Sequence, residues 1–270
     1  MANKIKNDLR IDKRIRAVFG EIEFDSVTSS SGNTREEILA EQETEEALQG
    51  KAVMEMINNS PHYKEAVPET GLVTSTKEFI SEPDKNKSNI QYIRPDTDEE
   101  LPCVYYIHGG GMMVSSCFDE LYAAWGRCIA RQGIAVAMVD FRNAMWPSSA
   151  PEIEPFPAGL NDCVSGLKWV HANAKELNID KDKIIIAGES GGGNLTIATS
   201  LKLKQDGDIG LIKGLYALCP YIAGHWPLPE NPSSEENEGI LLTLHSDCLL
   251  YTSDAADEGL GVDLGGRRII

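Results

Sequence analysis

The stretch Gly188-Glu189-Ser190-Gly191-Gly192 is a G-x-S-x-G motif, placed between the apolar run Lys183 to Ala187 and a helix-favouring stretch, Gly192 to Lys204. A serine on such a strand-to-helix turn adopts strained backbone geometry, and flanking glycines let the strand and the helix approach closely. This turn, a nucleophile elbow, raises the serine hydroxyl above the sheet. The motif predicts Ser190 as a catalytic nucleophile, with Gly188 and Glu189 as supporting residues.

A second motif, His108-Gly109-Gly110-Gly111, follows the predicted strand Cys103 to Ile107 and precedes the elbow in the chain. Glycines let backbone N–H groups turn toward an anionic oxygen, and loss of one such donor costs about 10²- to 10³-fold in rate. We expect the N–H groups of Gly110, Gly111 and Gly191 to form this oxyanion hole. His108 and Gly109 are predicted to support it.

A glycine-rich turn can also hold phosphate or be purely structural, and the details of both motifs argue against phosphate. A dinucleotide fingerprint needs glycines at i, i+2 and i+5, but the third position is Thr196 counted from Gly191 and Val114 counted from Gly109. Neither motif carries the Lys-Ser/Thr pair of a P-loop. The two motifs in this order favour nucleophilic catalysis.

Strands and helices alternate along most of the chain, which predicts an α/β fold with a mostly parallel sheet and helices on both faces. Residues 1–70 are polar and helix-prone and are expected to form an N-terminal helical cap before a core at 71–247. Strands are predicted at Leu72–Ile80, Ile90–Ile93, Cys103–Ile107, Ile134–Phe141, Lys183–Ala187 and Gly214–Cys219. Helices are predicted at Phe118–Arg131, Ala158–Leu177 and Gly192–Lys204.

The composition excludes several classes of protein. A formal net charge of -17 argues against a nucleic-acid or anionic membrane partner, because both need basic patches. No run is apolar enough for a signal peptide or a membrane span, so a cytoplasmic location is expected. The six cysteines show no CxxC spacing and are expected to be buried free thiols without a metal. The sequence does not indicate an oligomeric state.

The two glycine motifs, together with VDFRNA at 139–144 and PFPAGLNDC at 155–163, resemble the hormone-sensitive lipase family of esterases and lipases, also called bacterial lipolytic family four. The resemblance covers roughly Leu72 to Ser246 and implies an α/β-hydrolase fold. It also implies hydrolysis of short- to medium-chain acyl esters without a cofactor. The segment Met145 to Glu154 is an insertion relative to the family pattern and bears on substrate range.

The remainder of a catalytic triad is not identified. A serine nucleophile needs a histidine, which in turn needs a carboxylate, and in this fold both follow further strands. The only histidines after Ser190 are His225 and His245, and we expect both to be ordinary loop or surface residues. The fold is therefore expected to be incomplete at the C-terminus, with the triad acid and histidine absent and little turnover.

The end of the sequence suggests why the fold and the triad are expected to be incomplete. Cys248-Leu-Leu-Tyr-Thr-Ser resembles the translation of a transposase-based sequencing adapter, and Gly261 to Ile270 resembles the adapter's continuation. We expect residues 248–270 to be adapter-derived, and the native part to end near Asp247.

The predicted function is that of a serine carboxylic-ester hydrolase acting through an acyl-enzyme on a small ester. A non-catalytic small-molecule-binding protein on the same fold is the alternative from another class. The intact glycine motifs favour the enzyme, because a receptor needs no oxyanion hole. A peptidase or an acyltransferase of the same superfamily stays open, since these enzymes share the fold and the elbow.

Overall fold

The computed structural model describes residues 4–20, 32, 34–222 and 232–237, without the side chains of residues 18 and 19. The predictions for His225, His245 and the adapter-like residues 248–270 lie outside these ranges.

Short helices form the N-terminal region, as its polar, helix-prone sequence predicts. They are α1 (Lys4–Asn7), α2 (Lys13–Phe19), α3 (Arg35–Glu41), α4 (Glu45–Asn58) and α5 (His62–Ala66). Threonine side chains cap two of them: Thr34 accepts the Glu37 N–H at α3, and Thr44 accepts the Ala47 N–H at α4. The boundary of a separate cap domain near residue 70 stays a prediction.

A six-stranded sheet forms the core, with the order β1-β2-β4-β3-β5-β6. Its strands are β1 (Leu72–Ile80), β2 (Lys87–Pro95), β3 (Leu101–Ile107), β4 (Ala135–Asp140), β5 (Ile179–Glu189) and β6 (Gly214–Leu218). The pairs β1–β2 and β2–β4 are antiparallel, while β3 runs parallel to β4 and β5, and β5 runs parallel to β6. The predicted mostly parallel α/β sheet is confirmed.

Helices cover both faces of the sheet, and the alternation of side chains along the strands explains how. The helices are α6 (Glu120–Ala130), α7 (Ala158–Ala172), α8 (Ala174–Leu177), α9 (Gly191–Asp206) and α10 (Pro232–Asn237), with a 3₁₀ turn at Ile209–Leu211 before β6. On β3, Tyr105 packs in the cluster that holds Leu167 of α7, whereas Tyr106 packs in the cluster that holds Tyr122 of α6. No helix in the described ranges is both long and apolar enough to span a bilayer.

Two expectations need correction. The helix predicted over Ala158–Leu177 is two helices, because the first ends at Asn173, whose side-chain amide donates to the Trp169 carbonyl at 2.8 Å. The cysteines are not all buried: Cys128 and Cys219 are exposed, while Cys103, Cys117 and Cys163 are buried. Cys128 lies on the exposed side of α6, whereas most apolar residues of this helix face the sheet.

Candidate active site

Ser190 occupies the turn between β5 and α9 and has the strained backbone that the motif predicts. Its φ of 55° and ψ of −121° lie in a region that residues with a side chain rarely adopt. Three hydrogen bonds hold the turn: the Ser190 N–H donates to the Leu218 carbonyl at 3.0 Å, and its carbonyl accepts the N–H groups of Asn194 at 3.0 Å and Tyr221 at 3.1 Å. The end of β6 and the start of α9 thus hold this residue, which is half-buried.

Glycines flank Ser190 because neighbouring backbone segments lie too close to leave room for side chains. A Cβ on Gly188 would lie 2.4 Å from the Gly192 carbonyl oxygen and 2.7 Å from the Ile107 carbonyl oxygen. A Cβ on Gly192 would lie 2.2 Å from that Ile107 oxygen and 2.4 Å from the His108 carbonyl oxygen. Side chains at 188 or 192 would separate β3, β5 and α9, and with them the two glycine motifs.

The loop after β3 comes directly beside the start of α9. A Cβ built on Gly191 would lie 2.8 Å from the backbone nitrogens of both Gly111 and Met112. Gly110 and Gly111 have positive φ values of 97° and 64°, which glycine adopts at little cost. The structure therefore brings Gly111 and Gly191 together and adds the Met112 amide, which the motif analysis did not single out.

His108 supports this loop from below. It is fully buried, its ring stacks on Phe141 with centroids 4.3 Å apart, and Nδ1 lies 2.8 Å from the Gly109 carbonyl oxygen. A carbonyl only accepts, so Nδ1 carries the proton, while burial lowers the pKa of His108 and favours the neutral ring. Because the peptide is planar and trans, a Gly109 carbonyl that points at His108 turns the Gly110 N–H the other way.

The segment after β4 supports the far side of the loop, and sequence reasoning did not find this role. Asn143 donates through its side-chain amide to the Ser115 carbonyl at 2.7 Å. Backbone bonds join Ala144 N–H to the Met112 carbonyl at 2.9 Å, and the N–H groups of Met145 and Trp146 to the Met113 carbonyl. The buried Asp140 carboxylate accepts from three donors of the two segments: Ser116 Oγ–H, the Cys117 N–H and the Ser149 N–H.

Glu189, the residue before Ser190, is half-buried and turned toward the same loop. Its carboxylate oxygens lie against the backbone of Gly109. Removal from water raises the pKa of this carboxyl group, and the nearby Gly109 N–H and Tyr122 hydroxyl partly offset the rise because they favour the charged form.

A cavity of about 340 Å³ lies between α4 and the loops that follow β3 and β4. Part of the predicted insertion, from Trp146 to Ser149, forms one wall. The Trp146 indole N–H donates to the Gln42 side chain at 3.1 Å, and the Lys51 ammonium lies 5.4 Å from the centre of its ring. The N-terminal helices and the segment after β4 therefore meet at Trp146. The lining residues are Lys51, Met54, Glu55, Asn58, Val114, Ser115, Ser116, Phe118, Asp119, Trp146, Pro147, Ser148 and Ser149.

No acid and histidine that would complete a catalytic triad with Ser190 are identified, and His225 and His245 lie outside the described residues. Within the ranges that the structure describes, no group of three or more His, Cys, Asp or Glu side chains is placed to hold a metal ion.

A parallel sheet that carries a strained serine between a strand and a helix, beside a loop of glycine amides, defines the nucleophile-elbow hydrolases as a structural class. A family model described as "alpha/beta hydrolase fold" matches residues 104–259, and the chain belongs to this family.

Solved esterases have the same fold. The chain is similar to esterase Est22, with 52% identity, a TM-score of 0.87, and coverage of 94% of this chain and 73% of that one. It is also similar to brefeldin A esterase, described as a bacterial homologue of human hormone-sensitive lipase, with 28% identity and a TM-score of 0.76 over 92% of this chain and 69% of that one. The predicted relation to the hormone-sensitive lipase family is confirmed.

Curated relatives match over shorter stretches. Carboxylesterase NlhH of Mycobacterium tuberculosis is 37% identical over 115 residues, which is 43% of this chain and 33% of the relative. The chloroplastic tuliposide A-converting enzyme 2 of Tulipa gesneriana is 28% identical over 166 residues, 57% of this chain and 41% of the relative. The matched stretches span about one third to two fifths of the length of these two relatives.

Proposed function

We propose that the protein is a serine carboxylic-ester hydrolase with Ser190 as its nucleophile. The observation that carries the proposal is the approach of Gly191 to the Gly111 and Met112 amides, one residue from a strained, half-buried serine. This arrangement suits acyl transfer, because a nucleophile and a set of N–H donors must face the same carbonyl group. Similarity to esterases and to a carboxylesterase supports the choice of an ester.

In the first half of the reaction, Ser190 Oγ forms a bond to the acyl carbon, and the electron pair of the C=O bond moves to oxygen. The N–H groups of Gly110, Gly111 and Gly191 hold the resulting oxyanion. A base takes the serine proton and gives it to the leaving alcohol as the C–O bond breaks, which leaves an acyl-enzyme. Water then attacks the acyl carbon by the same route, and the acid product leaves with Ser190 restored.

This mechanism uses only backbone and side-chain groups of the protein, so we propose no cofactor. The substrate class is an ester of a short- to medium-chain acyl group, as the family resemblance implies. The base is a histidine oriented by a carboxylate, and neither residue is identified.

Hydrolysis of p-nitrophenyl butyrate tests the proposal. The 270-residue chain and the chain extended with its native downstream sequence are each compared with their own Ser190→Ala variant, with Ser75→Ala on β1 as a matched serine control. We expect hydrolysis to need Ser190 and to be unaffected at Ser75. Activity confined to the extended protein would place the remaining triad downstream.

If the 270-residue chain itself hydrolyses the ester, His225 and His245 become candidates for the catalytic base. If even the extended protein shows no Ser190-dependent hydrolysis of this ester, the esterase proposal is wrong. Saturable binding of the unreacted ester would then favour the binding-protein alternative.

A further inference from the structure

The Glu189 side chain lies directly against the first glycine of the oxyanion loop. A Cβ built on Gly109 would lie 2.3 Å and 2.7 Å from the two carboxylate oxygens, so a larger residue at 109 would require the Glu189 side chain to move. The Gly109 N–H also favours the charged form of this carboxylate. Glu189 therefore contacts the loop at the Gly109 backbone, from a position next to the proposed nucleophile in sequence.

A second donor fixes the carboxylate itself. The Tyr122 hydroxyl on α6 faces Glu189 and favours its charged form, and only 6% of Tyr122 is exposed. The Tyr122 ring also contacts the His108 ring, with centroids 5.3 Å apart. Glu189, Tyr122 and His108 thus form a connected support beneath the loop.

Gly109 is held from two sides by this support. Its backbone lies against the Glu189 carboxylate, and its carbonyl accepts the Nδ1–H of His108. A residue held at both ends has little freedom in φ and ψ, and the next peptide carries the Gly110 N–H. The orientation of the Gly110 and Gly111 amides beside Gly191 follows from this fixed starting point.

The groups that face the Glu189 carboxylate are neutral at ordinary pH. They are the Tyr122 hydroxyl of α6 and, at longer range, the Tyr106 hydroxyl of β3, and burial raises the pKa of both. The described residues provide no cation in an ion pair with Glu189. The Gly109 N–H and the Tyr122 hydroxyl are therefore the groups that stabilise its negative charge.

We propose that Glu189 is a positioning residue of the oxyanion hole, whose carboxylate lies against the Gly109 backbone and so sets the direction in which His108 to Gly111 presents its amides beside Gly191. The catalytic meaning of this role rests on the proposed esterase function, whereas the role in holding the loop does not.

The charge of Glu189 matters to this role. A carboxylate accepts an N–H bond about twice as strongly as a neutral acceptor does. Burial raises the pKa of Glu189, so as the pH falls it takes up its proton earlier than an exposed glutamate would. The loop should then loosen at acidic pH in the wild type but not in a variant that has no charge to lose.

Two readouts test the proposal on the same proteins: Glu189→Gln, Tyr122→Phe and, as a matched control, Glu78→Gln at an exposed ion pair with Lys87 on the far sheet edge. The first is amide hydrogen exchange in residues 108–116, expressed as protection relative to the unfolded chain, between about pH 4 and 8. The second is kcat and KM for p-nitrophenyl butyrate, measured on the chain extended with its native downstream sequence.

For Glu189→Gln we expect lower protection of the loop, without the loss toward acidic pH that the wild type shows. We also expect kcat to fall by about 10-fold or more with a smaller change in KM, because oxyanion donors act mainly in the transition state. In Tyr122→Phe the carboxylate loses a bond that lowers its pKa, so its loss of protection moves to higher pH. Glu78→Gln should match the wild type in both readouts.

Wild-type protection and wild-type pH dependence in both Glu189→Gln and Tyr122→Phe would overturn the proposal. If Glu189→Gln does not fold, the direction of the Tyr122→Phe shift decides, and no shift or a shift to lower pH counts against it. Absence of Ser190-dependent hydrolysis would remove the esterase function, while hydrogen exchange would still show whether Glu189 holds the loop.

Discussion

Replacement of Ser190 by glycine and by alanine separates the backbone strain of the elbow from the chemistry of its hydroxyl group. Both variants delete the hydroxyl. Alanine keeps a Cβ at φ 55° and ψ −121°, whereas glycine adopts this conformation without steric cost. The difference in unfolding free energy between the two variants therefore excludes the hydroxyl group and reports the strain, offset by the flexibility of glycine in the unfolded chain.

The expected size of this difference follows from two opposing terms. A residue held in such a region costs about 1–3 kcal/mol. Glycine also stabilises the unfolded chain by roughly 0.5–1 kcal/mol relative to alanine, which acts in the other direction. Ser190→Gly should therefore be about 1–2 kcal/mol more stable than Ser190→Ala. For a chain of 270 residues, that corresponds to a rise in Tm of about 2–4 °C.

Urea and thermal unfolding of the two variants measure the difference. The matched control is Lys204, an exposed position in the same helix, α9, whose backbone has ordinary helical geometry. There glycine should be less stable than alanine by about 1 kcal/mol, which is the opposite sign. If alanine is also the more stable residue at position 190, the elbow stores no strain and the reasoning is refuted.

Two further predictions concern the packing and protonation of the same region. Gly192→Ala should lower the unfolding free energy by about 3 kcal/mol in urea titrations, because its Cβ would lie 2.2 Å from the Ile107 carbonyl oxygen. The control is Gly210→Ala, whose Cβ would have no atom within 4 Å. This change should leave the unfolding free energy unchanged or raise it by up to about 1 kcal/mol. Burial lowers the pKa of His108 below its ordinary value of 6.5, so as the pH falls below 6.5 the unfolded chain binds a proton that the folded chain does not. Unfolding free energy measured between pH 7.5 and 5.5 should therefore fall more steeply in the wild type than in His108→Asn, by up to about 1.4 kcal/mol per pH unit, and parallel curves would contradict this assignment.

The sheet could be predicted from the sequence because its central strands are buried on both faces. The runs predicted for β4 and β5 are almost entirely apolar, and both are strands in the structure. The hairpin of β1 and β2 shows the limit of this signal. It pairs from Leu72 with Pro95 to Ile80 with Lys87, so β2 extends beyond the predicted Ile90–Ile93 through polar residues. Backbone pairing with a neighbouring strand sets these ends, and it leaves no hydrophobic pattern.

The candidate site could likewise be predicted only in part from the sequence. Glycine motifs are local patterns, so Ser190 and the loop beside it could be predicted, although their catalytic roles stay proposals. The supports from Asp140 and Asn143 could not, because they depend on two loops that meet only when β3 and β4 pair. Glu189 stood in a recognised motif, but its contact with Gly109 is a tertiary one.

The geometry of the elbow and the chemistry of the triad can be tested separately. The groups that shape the elbow and the loop after β3 lie between β3 and Tyr221. The carbonyl of Leu218 and the N–H of Tyr221 bind Ser190, and the segment after β4 binds the loop after β3. A strained residue persists only where its surroundings over-determine it, and here they do. The strain at Ser190 and the protection of the Gly109 amide should therefore be measurable in protein that does not turn over, since neither depends on a histidine that accepts the serine proton.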